Sequence, residues 1–313
     1  MNRRLLNLNH VYLCALFLAF QIPCQASTLV RFDTVFGDID VRLFDTATPE
    51  SIDNFLTYVE RGDYINTLIH RSVPGFIIQG GNWNYDGTPR VEPQDFPQVN
   101  SLAPVINEPG LTNVRGTIAY AKLGGDPDSA TNQWFFNLGD NSANLNNQNG
   151  GFTVFGQVVG DGLQVVDAIA ALQTFPFLGA FSDGPVRNYT VADFQGFTPL
   201  GADNLAIVES VSVLDIDPAD YNFDGVVDFG DLEVWEAQLG SSLLISDQEI
   251  SSPNTSSEAD GNGDGRVDGL DFLVWQQNFG NVVSGSFSAL SVPEPTTFAL
   301  ASLSLLAFFA RRR

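Results

Sequence analysis

The stretch that decides the fold is IHRSVPGFIIQGG, Ile69 to Gly81. It places Arg71 just ahead of a Pro-Gly-Phe turn, and Gln79 and two glycines follow the apolar run. A guanidinium beside aromatic residues can lie at the rim of an apolar pocket, where it donates several hydrogen bonds and stays charged. The stretch therefore predicts a site for binding or for electrophilic catalysis.

The chain is strongly acidic, with 313 residues, a formal net charge of -23 and 44% hydrophobic residues. Such a charge excludes nucleic acid as a partner, because a phosphate binder needs a basic face. The apolar content is enough for a packed core in one or two domains. We interpret most of the carboxylates as solvated surface, apart from a clustered subset in the second half of the chain.

Both ends of the chain carry targeting signals. Residues 1–26 combine Arg3 and Arg4 with a short apolar run and a Cys-Gln-Ala cleavage pattern, which predicts a secretory signal peptide. Both cysteines, Cys14 and Cys24, lie in it, so the exported chain has no disulfide. After a linker at 282–291, the segment VPEPTTFALASLSLLAFFARRR at 292–313 resembles the PEP-CTERM sorting tail, which an exosortase cuts in that family.

These signals predict export to the periplasm, cell surface or extracellular matrix of a Gram-negative-type bacterium. Contact with the membrane is expected only through the two terminal segments. A plain C-terminal anchor is the alternative interpretation of the tail.

The first body of the exported chain, residues 27–215, has the pattern of a β protein. A hairpin is predicted over TLVRFDTVFGDIDVRLF with its turn near Gly37, and further strands over GTIAYA, QWFFNL, FTVFGQVV and LAIVESVSVL. Thr48 and Pro49 begin one predicted helix, and GLQVVDAIAAL is a second. The pattern predicts a closed antiparallel barrel capped by two helices.

Five motifs of this body occur in one order: VRLFDTATPESIDNFLTYVERGDY, IHRSVPGFIIQGG, VRGTIAYAK, NQWFFNLGDN and GGFTVFGQVV. Together they resemble the cyclophilin-type peptidyl-prolyl isomerases. The resemblance implies a barrel of eight strands and a catalytic group without cofactor, formed by Arg71, Phe76, Gln79 and Phe135. It also implies substrate contacts from His70, which would orient its neighbours, and from Ala121, Gln133, Leu145 and Phe152.

The chemistry of prolyl isomerisation suits these residue types. Rotation about an Xaa-Pro bond faces a barrier of about 18–20 kcal/mol because of amide resonance. In the twisted state the prolyl nitrogen gains a lone pair, which Arg71 could stabilise with a hydrogen bond. A pocket of Phe76, Phe135 and Leu145 could hold the pyrrolidine ring of a proline-containing polypeptide.

The second body, residues 216–281, contains the clustered carboxylates. DYNFDGVVDFGD and DGNGDGRVDGLD repeat with a period of 40 residues and match the EF-hand loop, with Gly225 and Gly265 at its sharp turn. The pattern predicts two structural calcium ions. The predicted ligands are Asp220, Asn222, Asp224, Val226, Asp228 and Asp231 in the first loop, and Asp260, Asn262, Asp264, Arg266, Asp268 and Asp271 in the second.

One helix is predicted after each loop, with Leu232, Trp235 and Leu239 on the first and Phe272, Trp275 and Phe279 on the second. A calcium loop followed by a single helix, repeated twice, resembles a type I dockerin, which implies a cohesin-like partner. The barrel carries none of these ligands. We therefore expect calcium removal to unfold the second body and to leave the barrel active.

Two other functions remain open at this point. The first body could bind proline-containing peptides without catalysis, as an adhesion module. Alternatively, the second body could be the functional one, in a calcium-dependent surface scaffold. Retention of Arg71 favours the enzyme, because a binder would not need a guanidinium directed at the prolyl nitrogen.

Overall fold

The structure, a computed structural model, describes residues 26–247 and 258–282. The predicted signal peptide up to residue 25, the sorting tail and all of the linker except residue 282 lie outside this range. Within it, no helix has both the length and the apolar character that crossing a membrane requires.

The first body is mainly β structure, followed by a small helical module. The strands are β1 Leu29–Thr34, β2 Gly37–Leu43, β3 Thr67–Leu68, β4 Arg71–Val73, β5 Ile77–Gly80, β6 Thr117–Tyr120, β7 Trp134–Asn137, β8 Val154–Val159, β9 Gln173–Phe175, β10 Gly184–Val186 and β11 Ile207–Val213. The α-helices are α1 Pro49–Glu60, α2 Ser142–Leu145, α3 Gly162–Ala170, α4 Val191–Gln195, α5 Phe229–Gln238 and α6 Gly269–Asn278.

The main sheet has nine antiparallel strands in the order β3-β11-β1-β2-β8-β6-β7-β5-β4. The predicted closed eight-stranded barrel is therefore wrong: the sheet curls, but its edge strands β3 and β4 do not pair with each other. The reason lies between them, because Ile69 N–H donates to Ala206 O and His70 N–H donates to Gln79 O. This strand segment changes partner from β11 to β5, so no ladder closes the ring.

The predicted elements themselves are present. The hairpin β1–β2 turns where Thr34 pairs with Gly37, whose φ of +119° favours glycine. Helix α1 begins at Pro49 and is followed by Gly62, whose φ is +71°. The apolar faces of α1 and α3, with Phe55 and Val166, pack into the core on the sheet. The two predicted capping helices thus bury the inner face of the sheet.

A second sheet, the hairpin β9–β10, was not predicted. Its strands pair Phe175 with Gly184, and Phe175, Phe177 and Phe181 form a separate apolar cluster with Trp83. This cluster lies behind β4, because Ser72 N–H donates to Asp183 O at 2.8 Å. The hairpin thereby supports the strand that carries Arg71.

The helical module consists of two calcium-type loops, each followed by one helix. Trp235 Nε1 donates to Asp268 O at 2.9 Å, and Trp275 Nε1 donates to Asp228 O at 2.8 Å. The rings of Trp235 and Phe272 are 5.1 Å apart. Each helix therefore holds the end of the other loop.

Candidate functional site

The site is organised by the register of three neighbouring strands. Arg71 on β4 pairs with Gln79 on β5, and Gln79 pairs with Phe135 on β7. Directly paired residues of antiparallel strands point to the same face of the sheet. The register thus brings together on one face three of the four residues predicted to be catalytic.

A chain of polar side chains runs along this face. Arg71 Nη1 lies 3.5 Å from Gln79 Oε1, and Gln79 Nε2 donates to Gln133 Oε1 at 3.0 Å. Ala121 N–H donates to Gln133 O at 2.9 Å just beyond the β6–β7 pair. Gln79, Ala121 and Gln133 line a cavity of about 450 Å³, together with Thr131 and the Lys122 segment.

Beside this groove lies an apolar cluster that contains the residues predicted to form the proline pocket. Phe135 and Leu145 are buried, and Phe76 and Phe152 are partly buried in the same cluster. The rings of Phe135 and Phe152 meet edge to face with centroids 5.8 Å apart. Phe152 N–H donates to Leu145 O at 2.9 Å, which ties the two pocket residues together. The three residues predicted to hold the proline ring therefore form one cluster with Phe152, a predicted substrate contact.

Lys122 is a site residue that the prediction missed. Its Nζ donates to Asn107 Oδ1 at 3.0 Å, Asn149 O at 3.0 Å and Gly151 O at 2.6 Å, and it lies 4.9 Å from the Phe152 ring centroid. Burial lowers the pKa of this ammonium. The signal was in the sequence, since Lys122 is the only lysine of the chain.

Asp183 is a second residue that the sequence did not single out. Its Oδ2 lies 3.6 Å from Arg71 Nε, and its backbone oxygen is held by Ser72. Both side chains are partly exposed, so this ion pair contributes little to stability. Its effect is on the orientation of the guanidinium.

His70 is not placed in the groove. Its side chain is buried, and its ring meets Trp83 and Phe181 edge to face at centroid distances of 4.6 and 5.6 Å. Burial lowers the pKa of the imidazole to about 3, so His70 is neutral at physiological pH. The residue is packed behind Arg71 on the opposite face of the strand.

The two predicted calcium loops share one hydrogen-bond pattern. At position one, Asp220 accepts from Asp224 N–H and Gly225 N–H at 3.1 and 2.9 Å, and Asp260 accepts from the equivalent amides at 3.1 and 2.8 Å. Gly225 and Gly265 have φ of +87° and +85°. The sharp turn predicted at position six is thus present in both loops.

The carboxylates at positions one and twelve of both loops are fully buried: Asp220, Asp231, Asp260 and Asp271. Burial, and then repulsion by Asp271 and Asp264, raises the pKa of Asp260 well above its usual range. Burial also raises the pKa of Asp220 to about 6 and that of Asp271 to about 7. In the described ranges, no three acidic or His side chains converge closely enough to be a ligand cluster.

Burial of ionised carboxylates destabilises the folded state unless a cation compensates their charge. The oxygen-rich donor set, the turn geometry and the burial fit calcium. The candidate ligands are the predicted ones in both loops.

Comparison with known proteins assigns the three parts of the chain. Residues 29–194 match the family "Cyclophilin type peptidyl-prolyl cis-trans isomerase/CLD", residues 218–279 match "Dockerin type I domain", and residues 291–313 match the "PEP-CTERM protein-sorting motif". The last match lies outside the described residues.

Among similar proteins, a peptidyl-prolyl cis-trans isomerase of Acinetobacter baylyi is 38% identical over 152 residues, which are 48% of this chain and 75% of that protein. Peptidyl-prolyl cis-trans isomerase B of Escherichia coli is 41% identical, over 47% of this chain and 86% of its own. A solved cyclophilin-type isomerase of Cryptosporidium parvum has a TM-score of 0.43 at 22% identity, covering 60% of this chain and 98% of that one. Because the family model spans more than half of the chain and the bacterial relatives are covered over most of their length, the chain belongs to the cyclophilin-type peptidyl-prolyl cis-trans isomerases.

Proposed function

We propose that the chain catalyses cis/trans rotation about Xaa-Pro bonds of exported or surface polypeptides. Arg71 donates a hydrogen bond to the prolyl nitrogen when the peptide is twisted and that nitrogen is pyramidal. The bond is stronger in the twisted state than in the planar ground state, so it lowers the barrier. No covalent step or proton transfer is needed.

The observation that carries this proposal is the row Arg71, Gln79 and Phe135 on one face of the sheet. The guanidinium at one end and the apolar pocket at the other can contact both sides of the same Xaa-Pro bond. Phe135 and its neighbours would grip the pyrrolidine ring, which offers no N–H to satisfy. Gln79 and Gln133 would bind the peptide backbone on the acyl side, which rotates.

An isomerisation assay on the full-length protein in calcium tests this proposal. Wild type should accelerate exchange of an Xaa-Pro peptide, and Arg71→Ala should lower kcat/KM by roughly 100- to 1000-fold, as loss of a transition-state donor does. The matched control is Arg61→Ala, which removes a guanidinium that pairs with Asp63 at 3.0 Å.

The control should keep the wild-type rate, because Arg61 lies at the end of α1, outside the groove. Equal rates for Arg71→Ala and wild type would overturn the role of the guanidinium. A wild-type protein that binds the peptide without accelerating exchange would support the alternative, a non-catalytic binder.

We further propose that the module, residues 216–281, binds two calcium ions and a cohesin-like protein partner. The dockerin match supports both parts, and the module exposes the apolar side chains Phe229, Leu270 and Phe279. Exposed apolar groups on a small module are typical of an interaction surface. Calorimetric titration should find two calcium sites, and a single site would contradict the count.

The sorting motif and the dockerin module are features of an exported, cell-surface protein. We propose cleavage near Ser27 and near the Pro-Glu-Pro triplet at 293–295 in a Gram-negative-type host. Mass spectrometry of the exported protein tests this. An intact FFARRR end in a host with an exosortase would leave a plain anchor.

A further inference from the structure

The two calcium loops differ at positions that calcium binding does not explain. Positions two and four are Gly261 and Gly263 in the second loop, where the first loop has Tyr221 and Phe223. The backbone of the second loop lies directly against the backbone of the first body. A Cβ on Gly263 would lie 2.9 Å from Asp45 N and 3.1 Å from Leu43 O, and its φ is +67°.

The carbonyl groups of the second loop accept hydrogen bonds from the first body. Ser27 N–H donates to Gly261 O at 2.9 Å, and Thr46 Oγ1 donates to Asn262 O at 2.7 Å. Gly263 O accepts from the N–H groups of both Thr46 and Ala47 at 3.1 Å. Three successive carbonyls of the second loop therefore accept hydrogen bonds from the first body, and these contacts form an interface between the first body and the module.

The first loop contributes to the same interface through Arg42, a fully buried residue of β2. Its Nη1 donates to Ser27 Oγ at 2.6 Å and to Pro218 O at 3.1 Å. The guanidinium carbon lies 5.8 and 5.9 Å from the ring centroids of Tyr221 and Phe223. A charged group of the sheet is thus enclosed by the module.

A second set of hydrogen bonds leads from the second loop to the groove. Leu243 N–H donates to Gly265 O at 2.8 Å, and Val267 N–H donates to Ser241 O at 3.0 Å. On its other side, Leu243 O accepts from Thr112 N–H at 2.8 Å. Segment 241–245 therefore lies between the calcium loop and the first body, and Arg266, between Gly265 and Val267, is the predicted carbonyl ligand.

The next residue, Asn113, reaches the proline pocket. Its Nδ2 donates to Phe152 O at 3.1 Å, and its backbone N–H donates to Asn146 Oδ1 at 2.9 Å. Asn146 Nδ2 in turn donates a hydrogen bond to Thr112 Oγ1 at 2.9 Å. Thr112 and Asn113 are fully buried. Together they hold the segment 145–152, which supplies Leu145 and Phe152 to the pocket.

We propose that Asn113 is a positioning residue of the proline pocket and that a cation in the second calcium loop fixes it through segment 241–245. The backbone oxygen of Arg266 would be among the ligands of a cation in the loop Asp260–Asp271. The hydrogen bonds from Leu243 N–H to Gly265 O and from Thr112 N–H to Leu243 O would then transmit that order to Thr112 and Asn113. The first loop lacks this connection. The inference rests on the proposed function only in that the pocket is taken as the substrate site.

Hydrogen exchange of the full-length protein, with and without chelator, tests the coupling without using activity. Chelation should raise exchange by roughly tenfold or more in segments 110–113, 241–245 and 145–152, because local opening is no longer opposed by the ion. Helix α3 at 162–170, which makes none of the hydrogen bonds described for this connection, should keep its protection. Unchanged exchange in 110–113 and 145–152 would overturn the proposal.

Matched variants test whether the two loops differ. In excess calcium, Asp264→Asn should reproduce the exchange pattern of the chelated protein and weaken binding of a proline peptide about 5- to 10-fold, within the usual range of coupling between sites. Asp224→Asn, the same change in the first loop, should have a smaller effect on both. Equal effects of the two variants would contradict the assignment to the second loop.

The variant Gly263→Ala distinguishes loss of the contact between the two bodies from unfolding of the module. It keeps every predicted ligand and disturbs the contacts of Gly263 with Asp45, Leu43 and Ser27. Calcium should therefore still bind while segment 110–113 loses protection. If segment 110–113 stayed fully protected from exchange in Gly263→Ala, contact between the second loop and the first body would not be needed for the coupling, and the proposal would fail. If the pocket responds to calcium but wild type shows no isomerisation, the proposed function fails and the coupling stands.

Discussion

The prolyl site and the calcium loops solve the same problem, which is to hold polar groups in place, by different means. At the prolyl site, strand register aligns Arg71, Gln79 and Phe135, and apolar packing around Phe135 fixes them. In the loops, four carboxylates are buried, two in each loop, and we propose that each pair is stabilised by a cation. The row Arg71, Gln79 and Phe135 is thus preorganised by strand register, whereas we propose that the loops depend on an ion.

Calcium removal should have the largest effect on stability, and this effect should come from the calcium loops and not from the prolyl site. For each ion, binding stabilises the folded state by about 2.7 kcal/mol when free calcium is 100 times the Kd. Chelation should therefore lower the free energy of unfolding of the full chain by up to twice that amount, and thermal unfolding with and without chelator measures it. An unchanged melting temperature would contradict the dependence on the ion.

The second largest effect concerns the buried arginine at the interface. Arg42→Ala should destabilise the protein by roughly 3 kcal/mol, because it leaves a cavity beneath two aromatic rings and removes the bonds to Ser27 and Pro218. Arg31→Ala is the control, since Arg31 pairs with Asp38 and Asp40 on the surface and should cost less than about 1 kcal/mol. Denaturant unfolding of both variants in calcium measures these losses of unfolding free energy. Equal losses for the two variants would contradict a stabilising role of Arg42 at the interface.

Acid should weaken the support behind the prolyl site through His70. Its pKa is about 3 in the folded protein, where burial keeps it neutral, and 6.5 is the ordinary value. Between these values the unfolded chain binds more protons, so this contribution to stability falls as pH falls, by at most about 1.4 kcal/mol per pH unit.

The His70→Phe variant removes this titration. Its free energy of unfolding relative to wild type should rise from pH 7 to pH 5, measured in excess calcium. A difference that stays constant with pH would contradict the burial of a neutral imidazole.

The smallest expected effect is at Gln133. Gln133→Ala removes the acceptor of the 3.0 Å bond from Gln79 and should weaken peptide binding by about 1 kcal/mol, seen as a higher KM. The measurement is steady-state isomerisation with a short Xaa-Pro peptide. A large fall in kcat with unchanged KM would mean that Gln133 acts in the twisted state.

Much of this fold follows from local patterns in the sequence. Alternating residues predicted the β1–β2 hairpin, apolar runs predicted the strands now seen as β6, β7, β8 and β11, and Thr48 with Pro49 predicted the start of α1. The open sheet could not be predicted, because it depends on a change of hydrogen-bond partner at Ile69 and His70. Periodicity describes the faces of a strand and carries no information about its partners.

The candidate site, too, could be predicted from the sequence only in part. The types and order of Arg71, Gln79 and Phe135 came from a family resemblance, and strand register supplies the physical reason for their proximity. His70 was expected near the groove as a neighbour of Arg71, yet adjacent residues of a strand point to opposite faces. Docking of the module was missed because Gly261 and Gly263 were interpreted only as parts of a calcium loop.

The most direct test of the central claim separates binding of the peptide from its isomerisation. Exchange NMR on one Xaa-Pro peptide, with wild type and Arg71→Ala in calcium, gives the bound fraction and the cis/trans rate of the bound peptide in the same sample. We predict that Arg71→Ala binds with an affinity within about tenfold of wild type while the bound exchange rate falls by roughly 100-fold or more. A bound exchange rate equal to that of wild type would contradict the account.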